Sequence, residues 1–64
     1  MNPYLIKTKC ACCGKAFVLP FAYCPICGWA NDDIQNEDED FEGGENLMSL
    51  KQAKQAYAEG REIE

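Results

Sequence analysis

Ten residues separate two C-x-x-C-G turns, Cys10-Ala11-Cys12-Cys13-Gly14 and Cys24-Pro25-Ile26-Cys27-Gly28. Two residues between thiolates let one tight turn aim both sulfurs at a single ion. Two such turns supply the four sulfurs of a tetrahedral centre, each about 2.3 Å from the metal. The glycine after each pair meets a second need: a positive φ that turns backbone N–H groups toward the thiolates without a Cβ penalty. The spacing therefore makes Cys10, Cys13, Cys24 and Cys27 the candidate metal ligands and Gly14 and Gly28 their turn glycines.

All-sulfur ligation suits zinc or iron, and zinc on four cysteines is the commoner structural site in small cytosolic domains, so one zinc per chain is expected. A rubredoxin-like iron centre uses the same two turns, but with a much longer separation. A dithiol redox pair opens a helix behind a strand, and no helical pattern follows either pair here. Cys12 is the extra thiol: pairing Cys10 with Cys13 preserves the C-x-x-C-G pattern and leaves Cys12 a packed residue or a reactive thiol. Four thiolates and one dication leave a charge of about minus 2, which Lys7, Lys9 and Lys15 offset if they point inward; ordinary solvated lysines are the other reading. Histidine is absent, and four thiolates close the coordination sphere, so the site lacks a water position and a proton carrier. No catalytic residues are assigned, and the chain is expected not to be an enzyme.

The elements that must position these sulfurs belong to a chain of 64 residues, too short to bury a self-sufficient core without a staple. Residues 1–64 are read as a single domain: a cysteine-bearing, zinc-ribbon-like part over 4–30, an acidic connector over 31–46 and a C-terminal helix over 49–59, followed by a frayed tail from Gly60. Tyr4 to Thr8 and Lys15 to Leu19 carry β-branched and aromatic residues in short runs, as in a hairpin. Ser49 with Gln52 forms a capping box, Leu50, Ala53 and Tyr57 share a helical face, and Gly60 supplies the stop. Trp29 is expected to pack in the core, with cover of the metal centre from water as its other reading, and Phe17, Phe21, Tyr23 and Phe41 to complete a small aromatic core rather than a base-stacking platform. The Gly43-Gly44 pair is expected to turn the helix back onto the ribbon.

Eleven acids face six bases, for a net charge of −5, and the imbalance is local. Asp32, Asp33, Glu37, Asp38, Glu39, Asp40, Glu42 and Glu45 fall in residues 31–45, which hold no base, whereas residues 1–30 hold three lysines and no acid. The acidic stretch repels phosphates, which argues against nucleic acid. It also fails the calcium loop pattern, since Phe41 stands where the sixth position needs glycine. It suits a solvated loop, or a patch for a basic protein surface formed by Asp32, Asp33, Glu37, Asp38, Glu39 and Asp40. No apolar run approaches the roughly 18 residues of a membrane span, and the first residues hold no signal-peptide core. A cytoplasmic protein without membrane contact is expected.

The same residues resemble the cysteine-rich CPCC family of small bacterial proteins over nearly all of residues 10–57. The resemblance rests on Cys10, Cys12, Cys13 and Gly14, then Cys24, Pro25, Cys27 and Trp29. It continues through Asp32, Gln35, Asp40, Phe41, Gly43, Gly44, Asn46, Ser49, Leu50, Ala53 and Tyr57. Ala11 replaces the usual proline, Ala30 and Asn31 stand where acids are usual, and Leu47 stands where histidine is common. The metal turns survive these changes; an activity resting on that histidine or acidic pair would not carry over. Taken together, the expectation is a small metal-stabilised α+β domain, a zinc-ribbon-like hairpin with a C-terminal helix. It is expected to act as a protein-interaction or regulatory module through its acidic loop, with neutralisation of a basic toxin or nuclease as the sharper form of that role. A rubredoxin-like electron-transfer or thiol-redox protein is the alternative.

Overall fold

A computed structural model describes residues 6–64. Strands β1 (Thr8–Lys9) and β2 (Phe17–Val18) pair antiparallel, with Thr8 opposite Val18 and Lys9 opposite Phe17. Helix α1 (Asp33–Glu37) and helix α2 (Leu50–Ala58) follow. The result is a small α+β fold. The strands are shorter than the expected runs, and Tyr4 and Leu5 of the first run lie outside the described residues.

The first cysteine turn closes the β1–β2 hairpin: Cys10 N–H donates to Ala16 O (2.8 Å) and Gly14 N–H to Cys10 O (2.9 Å). The second turn repeats the scheme, with Cys24 N–H donating to Trp29 O (2.8 Å) and Gly28 N–H to Cys24 O (2.9 Å). It is held between arms that pair at a Tyr23–Ala30 bridge and through reciprocal bonds joining Phe21 and Ala22 to Asn31. Cys10, Val18, Cys24, Trp29, Leu50 and Ala53 form the buried cluster, so the sulfurs are part of the core rather than an appendage to it.

Four expectations need correction. First, Phe17, Phe21, Tyr23 and Phe41 do not build a core; they are 64%, 55%, 68% and 40% exposed. Period-2 alternation explains Phe17, since its neighbour Val18 takes the inward position. Phe21 is outside for a different reason. Pro20 and Phe21 occupy the middle of a turn closed by Ala22 N–H to Leu19 O (3.1 Å), and Phe21 has φ of 63°. That is the position a type II turn usually gives to glycine, and a non-glycine residue there costs about 1–3 kcal/mol.

Second, the acidic connector is not only a solvated loop. It contains α1, capped by Asp32, whose carboxylate accepts from the N–H groups of Ile34 (2.9 Å) and Gln35 (3.4 Å). Third, the tail from Gly60 is not frayed. Gly60 (φ 76°) donates to Tyr57 O and Arg61 to Ala56 O, the paired bonds of a Schellman C-cap, and the chain returns to bond Leu47 and Met48 through Glu64 O while Ile63 packs on the core. Fourth, Tyr57 lies at the margin of the buried face of α2, where Ala56 joins the expected Leu50 and Ala53. The Ser49–Gln52 capping box forms as expected with both bonds, at 3.2 and 2.8 Å.

Candidate metal centre

The two turns bring Cys10, Cys13, Cys24 and Cys27 together, with all four Sγ atoms within 4.8 Å of one another. The closest pairs cross from one turn to the other: Cys10 to Cys27 at 3.6 Å and Cys13 to Cys24 at 3.7 Å. These separations far exceed a disulfide bond of about 2.05 Å, and all five cysteines are free. They match the edge of about 3.8 Å that a tetrahedron with metal–sulfur bonds of about 2.3 Å requires. The quartet is thus capable of holding one metal ion. Cys12 lies outside it, half-buried against the core.

Backbone geometry prepares the sulfurs for negative charge. Gly14 and Gly28 have φ of 68° and 88°, and one amide following the first turn and one inside the second point at sulfur. Lys15 N–H donates to Cys13 Sγ and Ile26 N–H to Cys24 Sγ, both at 3.4 Å. Without a metal the four thiols divide unequally. Burial opposes ionisation of Cys24, but the N–H groups of Cys27 and Ile26, with the sulfurs of Cys13 and Cys10, outweigh it and bring Cys24 down to about 7. Cys27 is pushed up, first by burial and then by its neighbours Cys10 and Cys12, and Cys13 is raised chiefly by burial. A cluster that resists multiple ionisation in this way calls for a cation.

The lysines do not supply that cation. Lys15 meets sulfur through its amide, while its ammonium lies 5.3 Å from the centre of the Tyr57 ring. Its proximity to Tyr57 raises its pKa and brings the first turn against α2. Lys7 and Lys9 are exposed. Trp29 packs in the core, buried with Cys10 and Cys24, and its indole N–H donates to Asn36 Oδ1 at 2.8 Å.

The expected partner-binding acids separate into two groups. Asp33, Glu37, Asp38, Glu39 and Asp40 are exposed. Asp32 is buried, and besides capping α1 it accepts from Glu45 N–H at 3.0 Å, so its carboxylate is fully engaged inside the fold and does not face a partner.

Sequence reasoning missed a set of buried side-chain amides that surround the second turn. Gln35, fully buried, donates to Phe41 O (3.1 Å), Asn46 O (3.1 Å) and Met48 O (3.2 Å), and accepts from Asn46 N–H (3.0 Å) and Asn46 Nδ2 (2.9 Å). Asn46 pairs with both main-chain groups of Ala30, at 2.8 and 3.0 Å, as a neighbouring strand would. Asn31 donates to Thr8 Oγ1, Val18 O and Leu19 O and accepts from Asn36. These amides join the β1–β2 hairpin, α1 and the start of α2 where apolar residues are too few to do so. Gly44 sits against them so closely that a Cβ would meet Asp32 Oδ2 at 2.6 Å and Gln35 Cδ at 2.8 Å. Two sequence signals bore on them: Asp32 three residues before Gln35, the spacing of a helix cap, and the place of Asp32, Gln35, Gly44 and Asn46 in the family resemblance.

Among the described residues no helix is long and apolar enough to cross a membrane. A comparison with characterised proteins finds no match to this chain. The family model described as Cysteine-rich CPCC matches residues 8–60, and with the two cysteine turns and the residues that brace them now placed, the chain belongs to the cysteine-rich CPCC family.

Proposed function

We propose that the quartet Cys10, Cys13, Cys24 and Cys27 holds one structural zinc ion and that the domain is a non-catalytic, cytoplasmic interaction module in the manner of a zinc ribbon. The observation that carries this reading is the convergence of four sulfurs at tetrahedral spacing inside the hydrophobic core. A metal there supplies folding energy to a chain with little else to bury. Zinc is favoured over iron because a closed four-cysteine site in a small domain most often serves structure.

The interaction role belongs to the exposed acids Asp33, Glu37, Asp38, Glu39 and Asp40. They lie on a segment strapped down by Lys51 N–H to Glu39 O (3.0 Å) and Gln52 Nε2 to Glu42 Oε2 (2.9 Å). A fixed acidic surface steers a basic protein toward it, and a basic toxin or nuclease is the class of partner it suits. The test is affinity capture on the zinc-loaded protein at low and high salt. A basic protein retained at low salt, released at high salt and lost when Glu37, Glu39 and Asp40 are changed to lysine supports the role; capture that ignores those substitutions refutes it.

A further inference from the structure

We propose that the exposed aromatic face of the ribbon docks the outer face of α1 of a second copy of this chain, in a head-to-tail contact. Phe17 and Lys9 face each other across the β1–β2 pair, on the side opposite buried Val18, so an aromatic ring and a cation share one surface. Phe21 and Tyr23 add two further exposed rings within the next six residues of a stretch, 6–30, that holds no acid. Phe21 is the telling residue. Its positive φ is fixed by the Leu19–Ala22 turn bond and by its N–H bond to Asn31 O, and that turn holds a bulky ring more than half exposed, where a contact outside the monomer can reach it.

The chain carries the complementary surface itself. On α1 Gln35 points inward, while Ile34, 64% exposed, is flanked by Asp33 and Glu37 one helical turn apart. An aliphatic knob rimmed by acids matches aromatic rings rimmed by lysine. The alternative of two ribbon faces meeting would oppose like charges. The two faces lie on different elements, so the contact is heterologous and leaves one face free at each end.

The experiment is sedimentation equilibrium of the zinc-loaded full chain from micromolar to millimolar concentration, with two variants. The expected result for the parent chain is an average mass that climbs past the dimer. Phe21→Gly and Ile34→Lys are each expected to remain monomeric alone and to form a 1:1 dimer when mixed, because the mixture retains one intact ribbon face and one intact α1 face. Phe21→Gly is also expected to melt higher than the parent, which separates a lost contact from a lost fold. A parent that stays monomeric throughout, variants that associate unchanged, or a mixture that does not associate overturns the proposal. So does a monomer whose ribbon face instead retains a labelled single-stranded oligonucleotide.

Discussion

Replacing Gln35 by leucine tests whether the buried amides, rather than apolar contacts, hold the acidic segment and α2 to the second cysteine turn. Leucine has a similar volume but makes none of the five hydrogen bonds of the Gln35 amide. The carbonyls of Phe41 and Met48 sit in exposed or half-exposed residues and find water. The N–H and C=O of Asn46 do not, because that residue is buried. Two buried groups without partners cost about 1–3 kcal/mol each, so about 4 kcal/mol at the centre of the range. The extra apolar burial of leucine returns about 2 kcal/mol. The net loss is about 2 kcal/mol, which lowers the melting temperature of a domain this size by about 8–16 °C. The assay is thermal unfolding by circular dichroism at a buffered free zinc concentration, so that the metal's mass-action contribution is the same for both proteins. Glu39→Gln, at an exposed position, serves as the control and stays within about 0.5 kcal/mol of the parent. A Gln35→Leu variant that melts within about 4 °C of the parent would refute the bracing role.

Three further outcomes are expected. Gly44→Ala drives a methyl into Asp32 and Gln35 and lowers stability by about 1–3 kcal/mol in denaturant titration, although Gly44 needs no positive φ. Cys12→Ser keeps one metal per chain, whereas Cys24→Ser loses tight binding, as measured by chelator competition. Metal affinity falls with falling pH: Cys13 and Cys27 have raised pKa values in the metal-free cluster and must release their protons to bind, which gives at least about 100-fold per pH unit. Below about 7, where Cys24 also takes up its proton, the slope steepens. Stability gained from the metal is therefore present at neutral pH and lost on acidification; chelator competition at pH 6, 7 and 8 reads the slope on both sides of 7, and a flat profile contradicts it.

The parts of this molecule legible in the sequence are those where chemistry dictates spacing. Two cysteines two residues apart followed by glycine describe a metal turn almost completely, and both turns fold as that pattern requires. Helix α2 announced itself through Ser49, Gln52 and Gly60, all of which act locally. The aromatic residues misled because hydrophobicity alone does not say which way a ring faces. The core is filled by sulfur, Trp29, Leu50 and small alanines, leaving no room for Phe17, Phe21 or Tyr23. The amide braces were hidden for a different reason. The partners of Gln35, Asn46 and Asn31 are mostly main-chain groups 11 to 16 residues away, and no periodicity marks a side chain that substitutes for a strand. Asp32 shows the consequence: by charge it belonged with the surface acids, and by structure it is a buried cap.

The most direct test of the metal centre is native mass spectrometry of the purified chain together with elemental analysis, before and after chelation. One zinc per chain, in a colourless protein that loses its fold when the zinc is removed, is the predicted result. A red iron protein, or a metal-free chain whose cysteines form disulfides without loss of fold, would contradict it.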